Sequence, residues 1–104
     1  MTLDQVTRSD FAQCVGQPFH LECGGQAVAV ELATVTGLGY KSPGDESRGK
    51  RESFSLLFHA PKQWRYPQCT YHVSHPKLGD LDVFLVPLGP DEKGMRLEAI
   101  FNFT

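Results

Sequence analysis

Histidines and cysteines are the side chains of this chain that are best suited to chemistry, and His72 and His75 form the most closely spaced pair. A spacing of three residues would place both imidazoles on one face of a helix, where they could bind one metal ion. Here apolar and polar residues alternate, which predicts a strand, and residues three apart on a strand face opposite sides of the sheet. We therefore expect no metal site and no cofactor.

Cys69 is the candidate for a catalytic nucleophile, with His59 or His75 as its base. It shares alternate positions with Tyr71 and Val73, however, and this pattern predicts a buried, unreactive thiol. The chain contains no GxSxG, P-loop, GxGxxG or HExxH motif. A hydrolase built on Cys69 is therefore only the third function class considered, and we expect a protein that is not an enzyme.

The cysteines Cys14, Cys23 and Cys69 are odd in number and form no CxxC pair. This favours free thiols over a disulfide framework or a zinc site, and we expect Cys23 and Cys69 to be largely buried. The N-terminal residues lack the basic and apolar regions of a secretion signal, and no apolar run approaches the ~18 residues of a membrane span. We expect a cytoplasmic protein without a membrane partner.

Two segments carry residue types that are common at binding sites. Residues 62–66 include Trp64, Arg65 and Tyr66, the three types most enriched at interaction hot spots, although a loop that folds back over one end of the domain would use them equally well. Arg48, Lys50 and Arg51 could contact phosphates, but they also fit a solvated charged run. With 10 Lys+Arg against 12 Asp+Glu, the net charge of -2 argues against broad electrostatic binding of nucleic acid.

The elements that must position these residues are mostly strands. The chain has 104 residues, of which 40% are hydrophobic, enough for one domain over residues 1–104 with a single core. In the segment 51–59, Phe54, Leu56 and Phe58 alternate with polar residues, which predicts a central strand with one buried face. Residues 81–86 predict a second, equally hydrophobic strand that is buried with the central one.

A short helix precedes the strands. Thr7 and Asp10 have the spacing of a capping box, and Gly16 is typical of a helix C-terminus. We expect Phe11 and Val15 to lie on one face of this helix and to dock on the barrel, where the helix plugs an open end.

Alternating apolar residues before and after Gly24 and Gly25 predict two strands that form a hairpin. If Cys23 pairs with Gln26, the two apolar sets share a face, with Leu21 opposite Val28 and Phe19 opposite Val30. After Leu32 the apolar phase slips by one residue, which indicates a β-bulge. Residues 37–50 are rich in glycine and charge and predict a long, mobile loop.

Three further strands follow the central one, beginning near Cys69, Leu81 and Met95. The chain therefore predicts a mainly β fold: a short N-terminal helix followed by a small, partly open antiparallel β-barrel with an SH3-like or Sm-like outline. In one register Tyr71 lies opposite Val83, and His72 then lies opposite Asp82 on the outer face as a surface ion pair.

Four segments give the chain a family resemblance. They are Arg51-Glu52-x-Phe54-Ser55-Leu56-Leu57-Phe58, Gln68-x-Thr70-Tyr71-x-Val73-x-His75, Leu78-Gly79-x-Leu81-x-Val83-Phe84-Leu85-Val86-Pro87 and Glu98-Ala99-Ile100-Phe101-Asn102. Together they resemble a family of small bacterial proteins that contain a domain of unknown function. The resemblance implies no catalytic residues, and it implies an association with phage-tail-like proteins. Cys69 departs from the resemblance, which implies a small residue such as Gly there.

Strand 81–86 is apolar on both faces, because Leu81, Val83 and Leu85 alternate with Phe84 and Val86. We expect either an interface for self-association or a protein partner at Phe84, or coverage of Phe84 within the monomer. The sequence thus favours a non-enzymatic binding or assembly module, accessory to a phage-tail-like structure. The alternative is a nucleic-acid-binding, Sm-like barrel that uses Arg48, Lys50, Arg51, Trp64 and Arg65.

Overall fold

A computed structural model of the chain describes residues 6–23, 25–37, 53–64 and 67–101. The elements, in chain order, are α1 (Arg8–Ala12), β1 (Pro18–Cys23), β2 (Gln26–Gly37), β3 (Phe54–Ala60), β4 (Cys69–His75), β5 (Gly79–Pro90) and β6 (Met95–Phe101). The predicted class, a short helix followed by an antiparallel β-barrel, is confirmed. The predicted loop over residues 37–50 lies outside the described residues, apart from Gly37 at the end of β2.

The strands form a closed barrel in the order β1-β2-β3-β6-β5-β4. Strands β1 to β3 form one meander and strands β4 to β6 form a second one. The two meanders meet twice, through the antiparallel pairs β3–β6 and β1–β4. The β1–β4 ladder is short, running from His20–Ser74 to Glu22–His72, but it closes the sheet that the sequence predicted to be partly open.

The hairpin register follows from the period-2 pattern. Cys23 pairs with Gln26, Leu21 with Val28 and Phe19 with Val30, as predicted. The register of β2 against β3 shifts between Leu32 and Thr34, so the predicted bulge is also confirmed. This shift lets one long strand pair with β1 through its first half and with β3 through its second half.

Strand β3 supplies the centre of the core. Phe54, Leu56 and Phe58 are at most 1% exposed, and β3 is paired along its length with β2 on one side and β6 on the other. The alternation predicted for this strand is therefore confirmed over Phe54–Ala60. Arg51 and Glu52, which the prediction included, lie outside the described residues.

Helix α1 begins with the predicted capping box. The Thr7 N–H donates to Asp10 Oδ2 at 2.8 Å, and the Asp10 N–H donates to Thr7 Oγ1 at 3.3 Å. Phe11 is 1% exposed, and its ring centroid lies 5.5 Å from that of Phe101 and 5.7 Å from that of Phe54. The helix therefore docks on the barrel through Phe11, as predicted.

The prediction for Val15 is wrong. Val15 is 47% exposed, because α1 ends at Ala12 and Val15 belongs to the following turn rather than to the helical face of Phe11. Gly16 ends this turn at φ +86°, and its N–H donates to the carbonyl of Leu32 at 2.7 Å. This backbone bond directs the chain into β1 and leaves Val15 on the surface beside β2.

No helix in the described segments has the length and apolar character that a membrane span requires.

Candidate interaction surface on β5 and β6

Phe84 and Ile100 are large apolar side chains that the barrel leaves uncovered. Phe84 on β5 is 51% exposed and Ile100 on β6 is 61% exposed, whereas the flanking residues Val83, Leu85 and Ala99 are buried. The described part of the monomer therefore leaves Phe84 half-exposed, which agrees with the first of the two alternatives left by the sequence, an interface at Phe84.

The strand register brings these side chains to the same part of the outer face. Val86 pairs with Glu98 at the end of the β5–β6 ladder, and Phe84 and Ile100 each lie two residues beyond this pair, on the outer rows of β5 and β6. Val86, which is half-buried, lies on the same outer row of β5. We call Phe84, Val86 and Ile100 the apolar surface.

Ile100 was missed by the sequence analysis. Its position in β6 breaks the alternation of the buried residues Leu97, Ala99 and Phe101 with the polar Arg96 and Glu98. The same kind of break marked Phe84 in β5. An apolar residue in an outward position of both strands was therefore a usable signal, because outward positions of an antiparallel sheet are normally polar.

The ladder between β5 and β6 ends beside the apolar surface. Strand β5 pairs with β4 from Gly79 to Leu85 and with β6 only from Val86 onward. Within the described segments, residues 80–85 of β5 therefore have a ladder partner on the β4 side alone. Residues 102–104, which would continue this register opposite residues 80–82, lie outside the described residues.

A bulge between Pro87 and Gly89 accompanies the change of partner. The Arg96 guanidinium donates to the carbonyls of Gly89 and Leu88, through Nε at 3.3 Å and Nη2 at 3.4 Å. Bulges bend a strand and terminate pairing. The bulge and the hydrogen bonds from Arg96 therefore bend β5, so that residues 80–85 diverge from β6.

Carboxylates continue the outer row of β5 next to Phe84. Asp80 and Asp82 have side chains that are 69% and 72% exposed. The register predicted for β4 and β5 is confirmed, with His72 opposite Asp82, and His72 Nδ1 lies 3.1 Å from Asp82 Oδ1. The hydrogen bond to Asp82 is the main cause that raises the pKa of His72. The edge of the apolar surface is therefore acidic.

His59 and Asp91 form a second histidine–carboxylate pair, on the far side of β6. His59 Nε2 lies 2.9 Å from Asp91 Oδ2, and this bond is the main cause that lowers the pKa of Asp91 to about 2. The other ring nitrogen, His59 Nδ1, is buried and has no hydrogen-bond partner among the described residues. Because solvent does not reach it, it is not placed to take a proton from a substrate.

His75 is a structural residue of the β4–β5 turn. Its Nδ1 accepts from the N–H groups of Lys77 at 3.0 Å and Leu78 at 3.4 Å, so the ring proton resides on Nε2, which donates to Gln17 Oε1 at 2.8 Å. Burial is the main cause that lowers the pKa of His75. The neutral ring thus has both nitrogens satisfied, and it packs against Phe19 with centroids 4.5 Å apart.

The candidate base His59 does not face Cys69. Cys69 is half-buried, packs against the core and pairs with the inward-facing Leu85, whereas His59 lies on the outer face of β3.

Cys14 and Cys69 are both free thiols, and burial raises the pKa of Cys14. The side chain of Cys23 lies outside the described part of the chain. The described segments contain no cluster of three or more His, Cys, Asp or Glu side chains that could hold a metal ion.

Trp64 belongs to the core rather than to a binding loop. It is 3% exposed, and its ring packs edge-on against Tyr71 with centroids 5.7 Å apart. Of the two alternatives for residues 62–66, a binding loop or a loop folded back over the barrel, the second agrees with the burial of Trp64. The other predicted site residues lie outside the described residues; they are Arg48, Lys50, Arg51, Arg65 and Tyr66.

The two perturbed histidines should shift the pH dependence of stability in opposite directions. His72 has a raised pKa, so its contribution is complete below the ordinary value of 6.5 and is lost as pH rises through its folded pKa. His75 has a lowered pKa, so its contribution is complete above 6.5 and is lost as pH falls through its folded pKa.

Thermal melts of His72→Gln at about pH 5.5 and about pH 8 should therefore show a larger loss of Tm on acidification than the wild type. His75→Gln should be less stable overall and show a smaller loss on acidification. Equal pH slopes in all three proteins would contradict these assignments.

Of the comparisons with known proteins, only the comparison with family models gives a match. No curated protein and no solved structure matches the chain. One family model does, described as Domain of unknown function (DUF6916), and it covers residues 6–101. That range contains every described element of the barrel, including the apolar surface. The resemblance predicted from the sequence motifs is thus confirmed, and the chain belongs to the family of this domain of unknown function.

Proposed function

We propose that this protein is a non-enzymatic binding and assembly module that docks through the apolar surface. The observation that carries the proposal is the exposure of Phe84 and Ile100, at 51% and 61%, on neighbouring strands of a small barrel. Monomeric proteins rarely leave large apolar side chains together on the surface without a partner for them.

Burial of this surface would change the affinity for a partner measurably. Complete burial of a Phe or Ile side chain is worth about 1.5–3 kcal/mol, and about half of that remains for side chains that are already half-buried. Phe84 and Ile100 together would then supply roughly 1.5–3 kcal/mol, or about a 10- to 150-fold change in affinity. Val86 adds to the same contact.

The absence of an enzymatic role is part of the proposal. It is supported by the positions of His59 and His75, whose ring nitrogens are shielded from solvent or engaged in turn hydrogen bonds. It is supported also by Cys69, which packs against the core, whereas its candidate bases lie elsewhere: His59 on the outer face of β3 and His75 in the hydrogen bonds of the β4–β5 turn.

The finer parts of the proposal come from the motifs and composition. A bacterial, cytoplasmic accessory of a phage-tail-like structure agrees with the family resemblance, and the Sm-like outline agrees with a small barrel that forms oligomers or binds a protein partner. The nucleic-acid alternative stays a prediction, since Trp64 is buried and its basic residues lie outside the described segments. Retention on immobilised RNA or DNA that falls with salt would favour it.

Surface substitutions test the proposed function. The wild-type protein is expected to self-associate in analytical ultracentrifugation, or to bind a partner that can be identified and reconstituted from purified components. Phe84→Ser and Ile100→Ser should each weaken this association by roughly 5- to 10-fold. Val15→Ser is the matched control, because Val15 is 47% exposed but lies beside β2, across the barrel from β5.

Circular dichroism melts separate a lost interface from a lost fold. Both surface variants should unfold within a few degrees of the wild type. A monomeric wild type whose identified partner binds Phe84→Ser and Ile100→Ser as tightly as the unmodified protein would refute the proposal. So would unfolding of Phe84→Ser, since Phe84 would then belong to the monomer core.

A further inference from the structure

We propose that a cleft between the β1–β2 hairpin and β4 binds a cationic side chain, Arg or Lys, of a protein partner. The cleft has a volume of about 200 Å³, and its polar lining residues are His20, Glu22, Gln26, His72 and Ser74. The inference rests on the proposed function, because the partner is the one that covers the apolar surface. It names the chemistry by which that partner is recognised.

The size and lining of the cleft define its occupant. Small-molecule sites usually have roughly 300–1,000 Å³, so a cleft of about 200 Å³ is suited to a single side chain. The carboxylate of Glu22 lies beside the amide of Gln26 and the hydroxyl of Ser74, and such a set of acceptors favours a positively charged donor. The described segments offer no set of three metal ligands, so the cation that fits is an organic one.

His72 is the cation that this part of the barrel supplies itself. Its Nδ1 lies 3.1 Å from Asp82 Oδ1 and its Nε2 lies 3.7 Å from Asp80 Oδ1, and both ring nitrogens are donors only in the protonated ring. Strands β1, β4 and β5 contain no Lys and no Arg. Within these strands the carboxylates of Glu22, Asp80 and Asp82 are therefore balanced by histidines alone.

Protonated His72 and an incoming Arg or Lys compete for the same carboxylates. The titratable groups around His72 are His20 and Glu22 on β1 and Asp80 and Asp82 on β5, while its outward neighbours on β4, Thr70 and Ser74, are uncharged. Loss of the His72 proton removes a repulsive neighbour from the cleft. The affinity for a cationic side chain should therefore increase as pH rises through the pKa of His72, which the hydrogen bond to Asp82 raises above 6.5.

The cleft and Phe84 lie on the same outer side of the barrel. The β4–β5 register places His72 opposite Asp82 and Thr70 opposite Phe84, and His72 lies opposite Glu22 on β1. Two strand spacings and two residues along a strand amount to roughly 12 Å between the backbones of Phe84 and Glu22. An interface of standard size spans this distance, so one partner can place an apolar side chain on Phe84 and a basic one in the cleft.

Nuclear magnetic resonance of the full-length protein tests the inference residue by residue. The probe is a blocked arginine, N-acetyl-arginine amide, and the matched neutral compound is N-acetyl-citrulline amide, in which a urea group replaces the guanidinium. At millimolar concentration the arginine probe should shift the amide signals of Glu22, His72 and Ser74. It should leave that of Glu31 unchanged, since this exposed carboxylate of β2 lies outside the cleft. The citrulline compound should shift none of them.

Variants separate the roles of the charged groups. Glu22→Gln should weaken binding of the arginine probe by at least about 5-fold, because it removes the charged acceptor, and the matched control Glu31→Gln should leave it unchanged. In the wild type the dissociation constant should fall roughly 3- to 10-fold between about pH 5.5 and about pH 8. His72→Gln should lose most of this pH dependence. His20→Gln should retain it, because His20 lies opposite Ser74 rather than a carboxylate.

Failure of this inference is distinguishable from failure of the proposed function. No shifts in the cleft, or equal responses to the arginine and citrulline compounds, would overturn the cleft as a cation site. Equal pH dependence in the wild type and His72→Gln would overturn the competition by His72. A partner released by Phe84→Ser but bound normally by Glu22→Gln would overturn the role of the cleft and leave the proposed function intact. If the arginine probe bound in the cleft while Phe84→Ser and Ile100→Ser kept full association, the proposed function would fail instead.

Discussion

Phe11→Ala is expected to lower the free energy of unfolding by about 3–5 kcal/mol, the range for removal of a buried phenylalanine from a core. Phe11 is the apolar side chain with which α1 closes one end of the barrel, and its ring contacts those of Phe19, Phe54 and Phe101. Alanine would leave a cavity between these rings. A helix of five residues has little stability of its own, so α1 should detach from the barrel in this variant.

Urea denaturation followed by circular dichroism measures this loss. A domain of this size has a total stability of about 5–15 kcal/mol, so Phe11→Ala should be marginally folded or largely unfolded at room temperature. Phe11→Leu is the matched control and should lose only about 1–2 kcal/mol, since most of the volume and all of the apolar character remain. A loss below about 1 kcal/mol in Phe11→Ala would show that α1 does not close the barrel.

Gly94→Ala should have the second-largest effect, a loss of more than about 2–3 kcal/mol. Gly94 has φ +149°, and a Cβ atom added there would lie 2.2 Å from the carbonyl oxygen of Ala60. The neighbouring atom belongs to the backbone of β3, which is paired on both sides and has little freedom to move. Backbone strain and steric overlap therefore act together at this position.

Gly89→Ala separates these two contributions. Gly89 also has a positive φ, +107°, but an added Cβ atom would meet nothing within 4 Å. It should therefore show only the conformational cost, about 1–2 kcal/mol. Equal losses of stability in Gly89→Ala and Gly94→Ala would mean that the contact between Gly94 and Ala60 contributes nothing, and would contradict the close approach of the β5–β6 turn to β3.

The turn around Asp91 explains why this approach is maintained. Asp91 Oδ1 accepts from the N–H groups of Lys93 at 2.8 Å and Gly94 at 3.1 Å, while its other oxygen bonds His59 on β3. The turn is thus attached to β3 through a side chain, and Gly94 provides the space that this attachment needs. The pairing of β5 with β6 begins from this turn and ends where the apolar surface starts.

Much of the fold could be predicted from the sequence because the relevant signals are local. The capping box of Thr7 and Asp10 lies within four residues, and the register of the β1–β2 hairpin follows from a two-residue turn and a period-2 pattern. The bulge after Leu32 appeared as a slip of the same pattern. The outward position of Phe84 followed from a strand that is apolar on both faces, whereas the sequence left open whether the monomer covers it.

Only the tertiary structure decided which strands are neighbours and therefore which residues share a surface. The pairs β1–β4 and β3–β6 join segments that are far apart in the chain, and no local pattern specifies such pairs. For this reason the sequence left open whether Trp64 lies in a binding loop or packs on the barrel, where it contacts Tyr71. Val15 was assigned to the helical face of Phe11, although the helix ends before it. For the same reason the end of the β5–β6 ladder could not be foreseen, because it depends on the bulge at Gly89 and on the closure of the whole barrel. Ile100, by contrast, was missed although the break in the alternation of β6 was a local signal.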